Sequence, residues 1–275
     1  MTQIIFCTLS KSGDYTIPNT VTTIREGAFH GCRKITSIII PNSVTTIGEW
    51  AFEDCKGLTS ITIPDSVSSI GEGAFFKCEG LVTVTIPSSV TAISDHLFSK
   101  CTGLTSVTIP NSVTNIGLSA FDSCSALESV VIPDSVTSIE NNAFSQCSAL
   151  TSVTIPNSVT NIGLRAFDSC SGLTSIVIPE SVTDIGDFAF EYCFNLKTFS
   201  IPKGLKYPSN AFPSGATITS TNSKYLFLTD GCKNSSSNLL SNRREYVHIL
   251  NYLLTQNGLS PALAHFFYGF VWTSE

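Results

Sequence analysis

The chain has 275 residues, which is enough for one or two globular domains or for one long repeat array. Only 13% of the residues are charged, roughly half the usual share, and this excludes a chain kept disordered by its charge. The formal net charge of -6 provides no overall attraction for phosphate backbones, which argues against a nucleic-acid-binding protein.

The N-terminal residues 1–17 predict a partial coil that caps the elements after it, because Tyr15-Thr16-Ile17 leads directly into Pro18. The start lacks a basic segment followed by a long apolar run, so no signal peptide is predicted. No window of the chain reaches the roughly 18 apolar residues of a membrane-spanning helix.

From Pro18 onward the chain repeats with a period of 23 residues. Prolines mark the period at Pro18, Pro41, Pro64, Pro87, Pro110, Pro133, Pro156, Pro179 and Pro202. Cysteines follow it at Cys32, Cys55, Cys78, Cys101, Cys124, Cys147, Cys170 and Cys193, and phenylalanines at Phe29, Phe52, Phe75, Phe98, Phe121, Phe144, Phe167 and Phe190. Fixed-period repeats of this length are typical of solenoids, so residues 18–202 are predicted to form eight stacked units.

Each repeat contains one short strand and one tight turn. Residues 81–86 have the form Leu-x-x-Val-x-Ile, whose alternating apolar side chains predict a strand with one buried face. Pro87 follows and ends the pairing, because proline has no N–H to donate. Ala74-Phe75 predicts a tight helical or 3₁₀ turn on the opposite side of the unit.

The repeated phrase Ile-Pro-Asn-Ser-Val-Thr-x-Ile-Gly-x-x-Ala-Phe-x-x-Cys-x-x-Leu-Thr-Ser-Val-Thr resembles BspA-type leucine-rich repeats. Residues 111–133 and 157–179 are near-copies of it, and the resemblance covers roughly residues 14–202. The resemblance implies a protein at the cell surface or secreted, with a role in adhesion and in binding host or matrix proteins.

The predicted fold class is a β-rich α/β solenoid. It is a curved leucine-rich-repeat array with a parallel sheet on the concave face, short turns or 3₁₀ segments on the convex face, and a helical C-terminal segment.

Serine stands where better-known leucine-rich repeats place a buried asparagine after the strand. We expect these hydroxyls to bond backbone groups at the bend, as serine does in turns. The positions are Ser43, Ser66, Ser89, Ser112, Ser135, Ser158 and Ser181.

The periodic cysteines predict buried, reduced thiols rather than a metal or redox site. Metal ligands must converge on one point, whereas side chains that recur once per unit run parallel along the stack. Parallel side chains also suit disulfides badly. Cys7 and Cys232 lie outside the period and are the two candidates for exposed thiols.

Nothing in the sequence predicts catalysis. The four histidines share no spacing, and no phosphate-binding loop, nucleophile elbow or zinc-binding motif occurs. No catalytic residue, metal ligand or cofactor is predicted, and the protein is interpreted as a non-enzyme.

The outward-facing strand positions are the predicted binding surface, because repeat arrays generally bind proteins through their concave face. The alternative is a solvated sheet surface with no binding role, made of residues with good strand propensity. The candidate residues are Ser60, Thr62, Thr83, Thr85, Ser106, Thr108, Ser129, Val131, Ser152, Thr154, Ser175 and Val177.

A second hydroxyl row is typical of ice-binding solenoids, although that function needs a flat face. It consists of Thr22, Thr45, Ser68, Thr91, Thr114, Thr137, Thr160 and Thr183. Bulky residues also interrupt the repeat and are placed on the convex or edge region. These are Trp50, Phe76, Phe188, Tyr192 and Phe194.

Residues 203–275 do not repeat and predict a C-terminal cap or interaction segment, although Ala211-Phe212 echoes the Ala-Phe pair one residue early. An amphipathic helix is predicted over 242–257, followed by a strongly apolar stretch over 262–272. Three interpretations stay open: a cap on the last coil, a dimer interface, or a contact with a membrane or a longer protein. The candidate interface residues are Tyr246, Ile249, Leu250, Leu253, Phe266, Phe267, Phe270 and Trp272.

The sequence therefore predicts a non-catalytic protein-binding or adhesion scaffold whose partner is a protein such as a host-cell or matrix protein. The alternative is a structural or self-assembling repeat protein that associates, for example as a homodimer, through its apolar C-terminal segment. Nucleic acid is not expected as a partner, and membrane contact is disfavoured.

Overall fold

The computed structural model of the protein describes residues 10–221, with side chains through residue 219. The chain divides into two compact units, Met1–Ser223 and Lys224–Glu275, and the described residues belong to the first. Cys7, Cys232, the predicted helix over 242–257 and all eight candidate interface residues lie outside the described residues.

One parallel sheet, here called the long sheet, runs along the stack with one strand from each coil. Its seven strands are β1 (Gly13–Thr16), β3 (Ile35–Ile39), β5 (Ser60–Thr62), β7 (Thr83–Thr85), β8 (Ser106–Thr108), β10 (Ser129–Val131) and β12 (Ser152–Thr154). Neighbouring strands pair in the register of the repeat, so that Val84 lies beside Val107 and Val130 beside Val153. The repeated strands of the sequence are therefore neighbours in one sheet.

The stack continues beyond β12 and beyond Pro202. Bridges join Ser152 to Ser175 and Val177 to Ser200, and these lead to β15 (Thr198–Pro202), which pairs in parallel with β16 (Thr217–Thr221). Thr198 pairs with Thr217, so this last coil is shorter than the 23-residue repeat.

A second side of each coil carries strands of two residues. One sheet contains β2 (Thr23–Ile24), β4 (Thr46–Ile47) and β6 (Ser69–Ile70), and another contains β9 (Asn115–Ile116), β11 (Ser138–Ile139), β13 (Asn161–Ile162) and β14 (Asp184–Ile185). A bridge between Ile93 and Ile116 extends the second of these sheets by one coil.

The third side, here called the turn side, consists of consecutive turns. The Ala-Phe pairs lie in turns, one of the forms predicted for them, and residues 10–221 contain no helix. Within a coil, Ala74 N–H donates to Gly71 O and Phe76 N–H to Gly73 O. The N–H groups in between, such as that of Phe75, donate to the next coil (Leu97 O, 3.0 Å). The described residues therefore form an all-β solenoid, and the α component of the predicted class rests on residues outside them.

Each 23-residue coil of the turn side, from that of Phe29 to that of Phe190, holds two residues in the left-handed region of backbone conformation. In the coil of Phe52 these are Trp50 (φ 53°) and Asp54 (φ 60°). Glycine occupies equivalent positions at Gly27, Gly31 and Gly73, as expected for a conformation that penalises a Cβ. The change of backbone direction brings alternate N–H groups into line with the carbonyls of the next coil.

A single apolar core fills the stack. The periodic phenylalanines are fully buried, and their rings stack at centroid separations of 5.1–5.5 Å from Phe29 to Phe190. Phe212 extends this column in the short last coil, with its ring 5.5 Å from that of Phe190 and an interplanar angle of 3°. Each unit is too small to bury its apolar side alone, and the core exists because units stack.

Candidate interaction surface

The outward side chains of the long sheet form a surface that we call the strand face. All twelve predicted binding residues are exposed, whereas the strand residues between them are buried, as Val130 and Val153 illustrate. The structure thus brings the predicted residues together on one surface.

The register of the sheet arranges the strand face in two rows, with about 4.8 Å between neighbouring side chains of a row. The first row carries hydroxyls at every position, from Ser60 through Thr83 to Ser175. The second row combines threonines with apolar β-branched residues at three positions, of which Ile39 and Val177 are 57% exposed and Val131 is 77% exposed. The strand face is therefore uncharged over the twelve predicted positions, with apolar side chains among hydroxyls.

Hydroxyls beside the strand face are engaged within the stack. Thr59 Oγ1 donates to Thr36 O at 3.1 Å, and Thr105 Oγ1 donates to Val82 O at 3.2 Å. The hydroxyls of the two strand-face rows from Ser60 to Val177 make no such bond within residues 10–221, so they are available to a partner.

The serine row behaves as predicted at six of its seven positions. Ser66 Oγ donates to Val44 O at 2.7 Å, and Ser43 and Ser181 make the equivalent bond at the same distance. Ser89, Ser112 and Ser135 bond in the same way. Ser158 is the exception, because its buried Oγ has no hydrogen-bond partner among the described residues.

The second hydroxyl row, considered above for ice binding, is also bonded along the stack. Thr183 Oγ1 donates to Thr160 O at 3.2 Å, and Thr160 Oγ1 donates to Thr137 O at 3.3 Å. The equivalent bonds start at Thr45, Ser68, Thr114 and Thr137. Hydroxyls whose protons are used within the protein are less able to order water, which weakens that interpretation.

The eight periodic cysteines are fully buried and none of them forms a disulfide, which confirms the predicted buried thiols. Each thiol from Cys55 onward donates to the carbonyl of a phenylalanine in the preceding coil, as Cys101 Sγ does to Phe75 O at 3.1 Å. Burial raises the pKa of Cys101 and of Cys193 to about 12, because the thiolate would lose its solvation. These thiols are poor nucleophiles and poor metal ligands.

No group of three or more metal-binding side chains occurs within residues 10–221. The same part of the chain contains no helix suited to crossing a membrane.

A sequence profile of the family described as "BspA type Leucine rich repeat region" matches residues 3–128 and 114–242, in six copies. The crystal structure of a T. pallidum leucine-rich repeat protein is 27% identical in sequence, covers 74% of this chain and 86% of its own, and superposes with a TM-score of 0.51. The pneumococcal vaccine antigen PcpA is 18% identical, covers 76% of this chain and 74% of its own, and has a TM-score of 0.51, which shows the fold alone.

A leucine-rich cell surface protein from Faecalibacterium prausnitzii is 27% identical over 77% of this chain and 88% of its own, with a TM-score of 0.32. Among curated proteins, none matches the sequence.

Proposed function

Because the chain belongs to the BspA type of leucine-rich-repeat proteins, we propose that it is a non-catalytic scaffold that binds a protein partner through its strand face. The observation that carries the proposal is the exposed, uncharged pair of rows, whose hydroxyls are not used within the stack. The proposal places the protein at the cell surface or outside the cell, where its partner is a host or matrix protein.

The side chains of the strand face determine what kind of binding to expect. Serine, threonine and valine are not the residues that usually dominate binding energy, which are tryptophan, tyrosine and arginine. A partner therefore gains little binding free energy from any one coil and more from contact with many coils. Such binding is broad, depends on the number of coils engaged, and strengthens when several copies act together.

Charged substitutions test the strand face directly, because its centre carries no charge. The test variant replaces Ser106, Thr108 and Ser152 by glutamate. The control variant replaces three exposed residues of the turn side from the same part of the stack, Thr102, Ser125 and Gln146, by glutamate. Both variants change the net charge equally.

The probe is an immobilised, solubilised basement-membrane extract, and the readout is the dissociation constant from biolayer interferometry. The test variant should bind at least about tenfold more weakly, because buried charges without partners oppose binding. The control variant should bind within about twofold of the wild-type protein. Equal binding by both variants, or a loss confined to the control, would overturn the proposal.

The alternative function, self-association through the apolar C-terminal segment, concerns residues outside the described part of the chain. It stays a prediction, and the mass in solution of a variant lacking residues 242–275 tests it. An oligomer that becomes a monomer on deletion would support the alternative.

A further inference from the structure

The repeat is interrupted on the turn side where three successive coils contribute aromatic side chains. The residues before the Ala-Phe or Leu-Phe pair in these coils are Trp50, Gly73 and His96, and all three have positive φ. A Cβ added at Gly73 would lie 2.1 Å from Cζ3 of Trp50, so the indole ring lies directly across this glycine. The absence of a side chain at Gly73 is what allows the tryptophan to lie along the stack.

The indole ring reaches aromatic partners in both following coils. Its centroid is 5.5 Å from that of Phe76 with an interplanar angle of 88°, and 6.3 Å from the imidazole of His96 with an angle of 29°. Trp50, Phe76 and His96 are each partly exposed. Together they form an aromatic platform on the turn side.

Two lysines meet at this platform. The Nζ atoms of Lys77 and Lys100 lie 4.8 Å and 5.4 Å from the centroid of the Phe76 ring. Within residues 10–221, neither ammonium group is within ion-pairing distance of a carboxylate. By contrast, Lys56 pairs with Glu79 at 2.6 Å, and Arg33 pairs with Asp54. Two like charges that share one ring without a counter-ion favour an anion between them.

Acidic residues flank the aromatic positions in the chain. Glu49, Glu72 and Asp95 directly precede Trp50, Gly73 and His96 in the chain. The Asp95 carboxylate accepts the backbone N–H of Leu118 at 2.8 Å, while Glu49 and Glu72 are exposed. Carboxylates accept hydrogen bonds, so these exposed residues suit a ligand that offers hydroxyl donors.

We propose that Trp50, Phe76, His96, Lys77 and Lys100 form a binding site for an acidic saccharide. The apolar face of a sugar ring packs on the indole, whose π face attracts weakly positive C–H groups. The carboxylate or sulfate of the sugar lies between the two ammonium groups, and its hydroxyls face Glu49 and Glu72. This site is on the turn side and is independent of the protein-binding strand face.

The probes are sialyllactose and a chondroitin sulfate tetrasaccharide, with lactose and inorganic sulfate as controls, and isothermal titration calorimetry measures the affinities. The wild-type protein should bind at least one acidic saccharide more tightly than either control. The variants Lys77→Gln and Lys100→Gln should each weaken this binding by about tenfold, the usual effect of losing one charge-assisted hydrogen bond. Lactose or sulfate binding as tightly as both acidic saccharides would overturn the proposal, and so would unchanged binding by both variants.

The indole provides a second readout that does not depend on affinity alone. In protein labelled with 5-fluorotryptophan, the ¹⁹F signal of Trp50 is identified by its loss in Trp50→Phe and should shift on saturation with the acidic saccharide. A ligand that binds without shifting this signal binds elsewhere and contradicts the proposed site. The strand-face variant with three glutamates should bind the saccharide as the wild-type protein does, which separates this test from that of the proposed function.

Discussion

The periodic cysteines belong to a reactive residue type, but here they pack in the apolar core. Each fills a fully buried position, and those from Cys55 onward also donate their S–H to the backbone of the preceding coil. This carbonyl belongs to a phenylalanine of the ring column, so the thiol ties the turn side of one coil to the core of its neighbour. The hydrogen bond needs the protonated thiol, which links this role to pH.

Stability should fall as the pH rises above about 9, and Cys101→Ala should reduce that dependence. The folded-state pKa of Cys101 is raised from its ordinary value of 9.0 to about 12, so the folded protein keeps a proton that the unfolded chain loses in this window. Its contribution is complete below pH 9 and is lost as the pH rises towards about 12. Removing the thiol should make the slope of unfolding free energy shallower by about 1.4 kcal/mol per pH unit.

The measurement is urea unfolding at about pH 9.5 and about pH 10.5, within the window where the two states differ in bound protons. Exposed Ser125→Ala serves as the control and should leave the slope unchanged. Equal slopes for Cys101→Ala and the wild-type protein would show that this thiol titrates normally in the folded state.

The phenylalanine column should carry a large share of the stability. Phe121→Ala removes a fully buried ring that stacks at 5.5 Å on Phe98 and at 5.2 Å on Phe144, and should cost about 3–5 kcal/mol of unfolding free energy. Phe194 is the matched control, because it is 63% exposed, and Phe194→Ala should change stability by less than about 0.5 kcal/mol. Chemical denaturation measures both, and similar losses at the two positions would contradict a core built on the column.

The serine row offers a matched pair within one repeat position. Ser66→Ala should destabilise the fold by about 1 kcal/mol, because the variant leaves Val44 O without the hydroxyl that bonds it at 2.7 Å. Ser158→Ala should be neutral or stabilise the fold by up to about 1 kcal/mol, because it removes a buried hydroxyl that has no partner among the described residues. Thermal unfolding measured side by side checks the sign, and equal destabilisation by both substitutions would refute this difference.

At the scale of single elements, the turn side departs most from what the sequence predicts. Strands are visible in the sequence because Val84 and Ile86 alternate with threonines, and alternation depends only on the residues of that strand. The positive-φ positions are hidden, because residues such as Trp50, Lys77 and Gln146 occupy them as well as glycine. Their conformation is imposed by hydrogen bonds to the next coil, as Gln146 N–H shows by donating to Asp168 O at 2.7 Å.

The same dependence on neighbouring coils limits prediction of the sites. The exposure of the twelve strand-face residues follows from period and alternation. The stacking of Trp50 across Gly73, by contrast, depends on a pair of residues in different coils. The S–H donation to Phe carbonyls is hidden for the same reason. The sequence identifies Trp50 and Phe76 as breaks in the repeat. It does not show that Lys100, from the next coil, lies beside the Phe76 ring.

Gln146 tests the cost of the left-handed conformation at an exposed position. At its φ of 59°, Gln146→Val should destabilise the fold by about 1–2 kcal/mol, because a β-branched side chain is crowded there. Gln146→Gly should stabilise it by a few tenths to about 0.5 kcal/mol, since the strain relieved is partly offset by backbone entropy. Urea unfolding compares the two variants, and a valine variant as stable as the glycine variant would mean that the position is not constrained.

At the scale of the whole molecule, the 23-residue period makes coils interchangeable units. Each coil contacts mainly its neighbours, so stability and surface both grow with the number of coils. Deleting residues 134–156 joins Pro133 to Asn157 and removes one whole coil in register, and deleting residues 111–156 removes two. Both deletions leave Trp50, Phe76 and Lys100 in place.

The most direct test of the scaffold account measures how these two deletion variants bind the immobilised basement-membrane extract. The account predicts that both fold, that both still bind the acidic saccharide, and that dissociation from the extract becomes faster with each coil removed. Folded variants that dissociate at the wild-type rate would contradict it, because the binding energy would then lie outside the strand face of the removed coils.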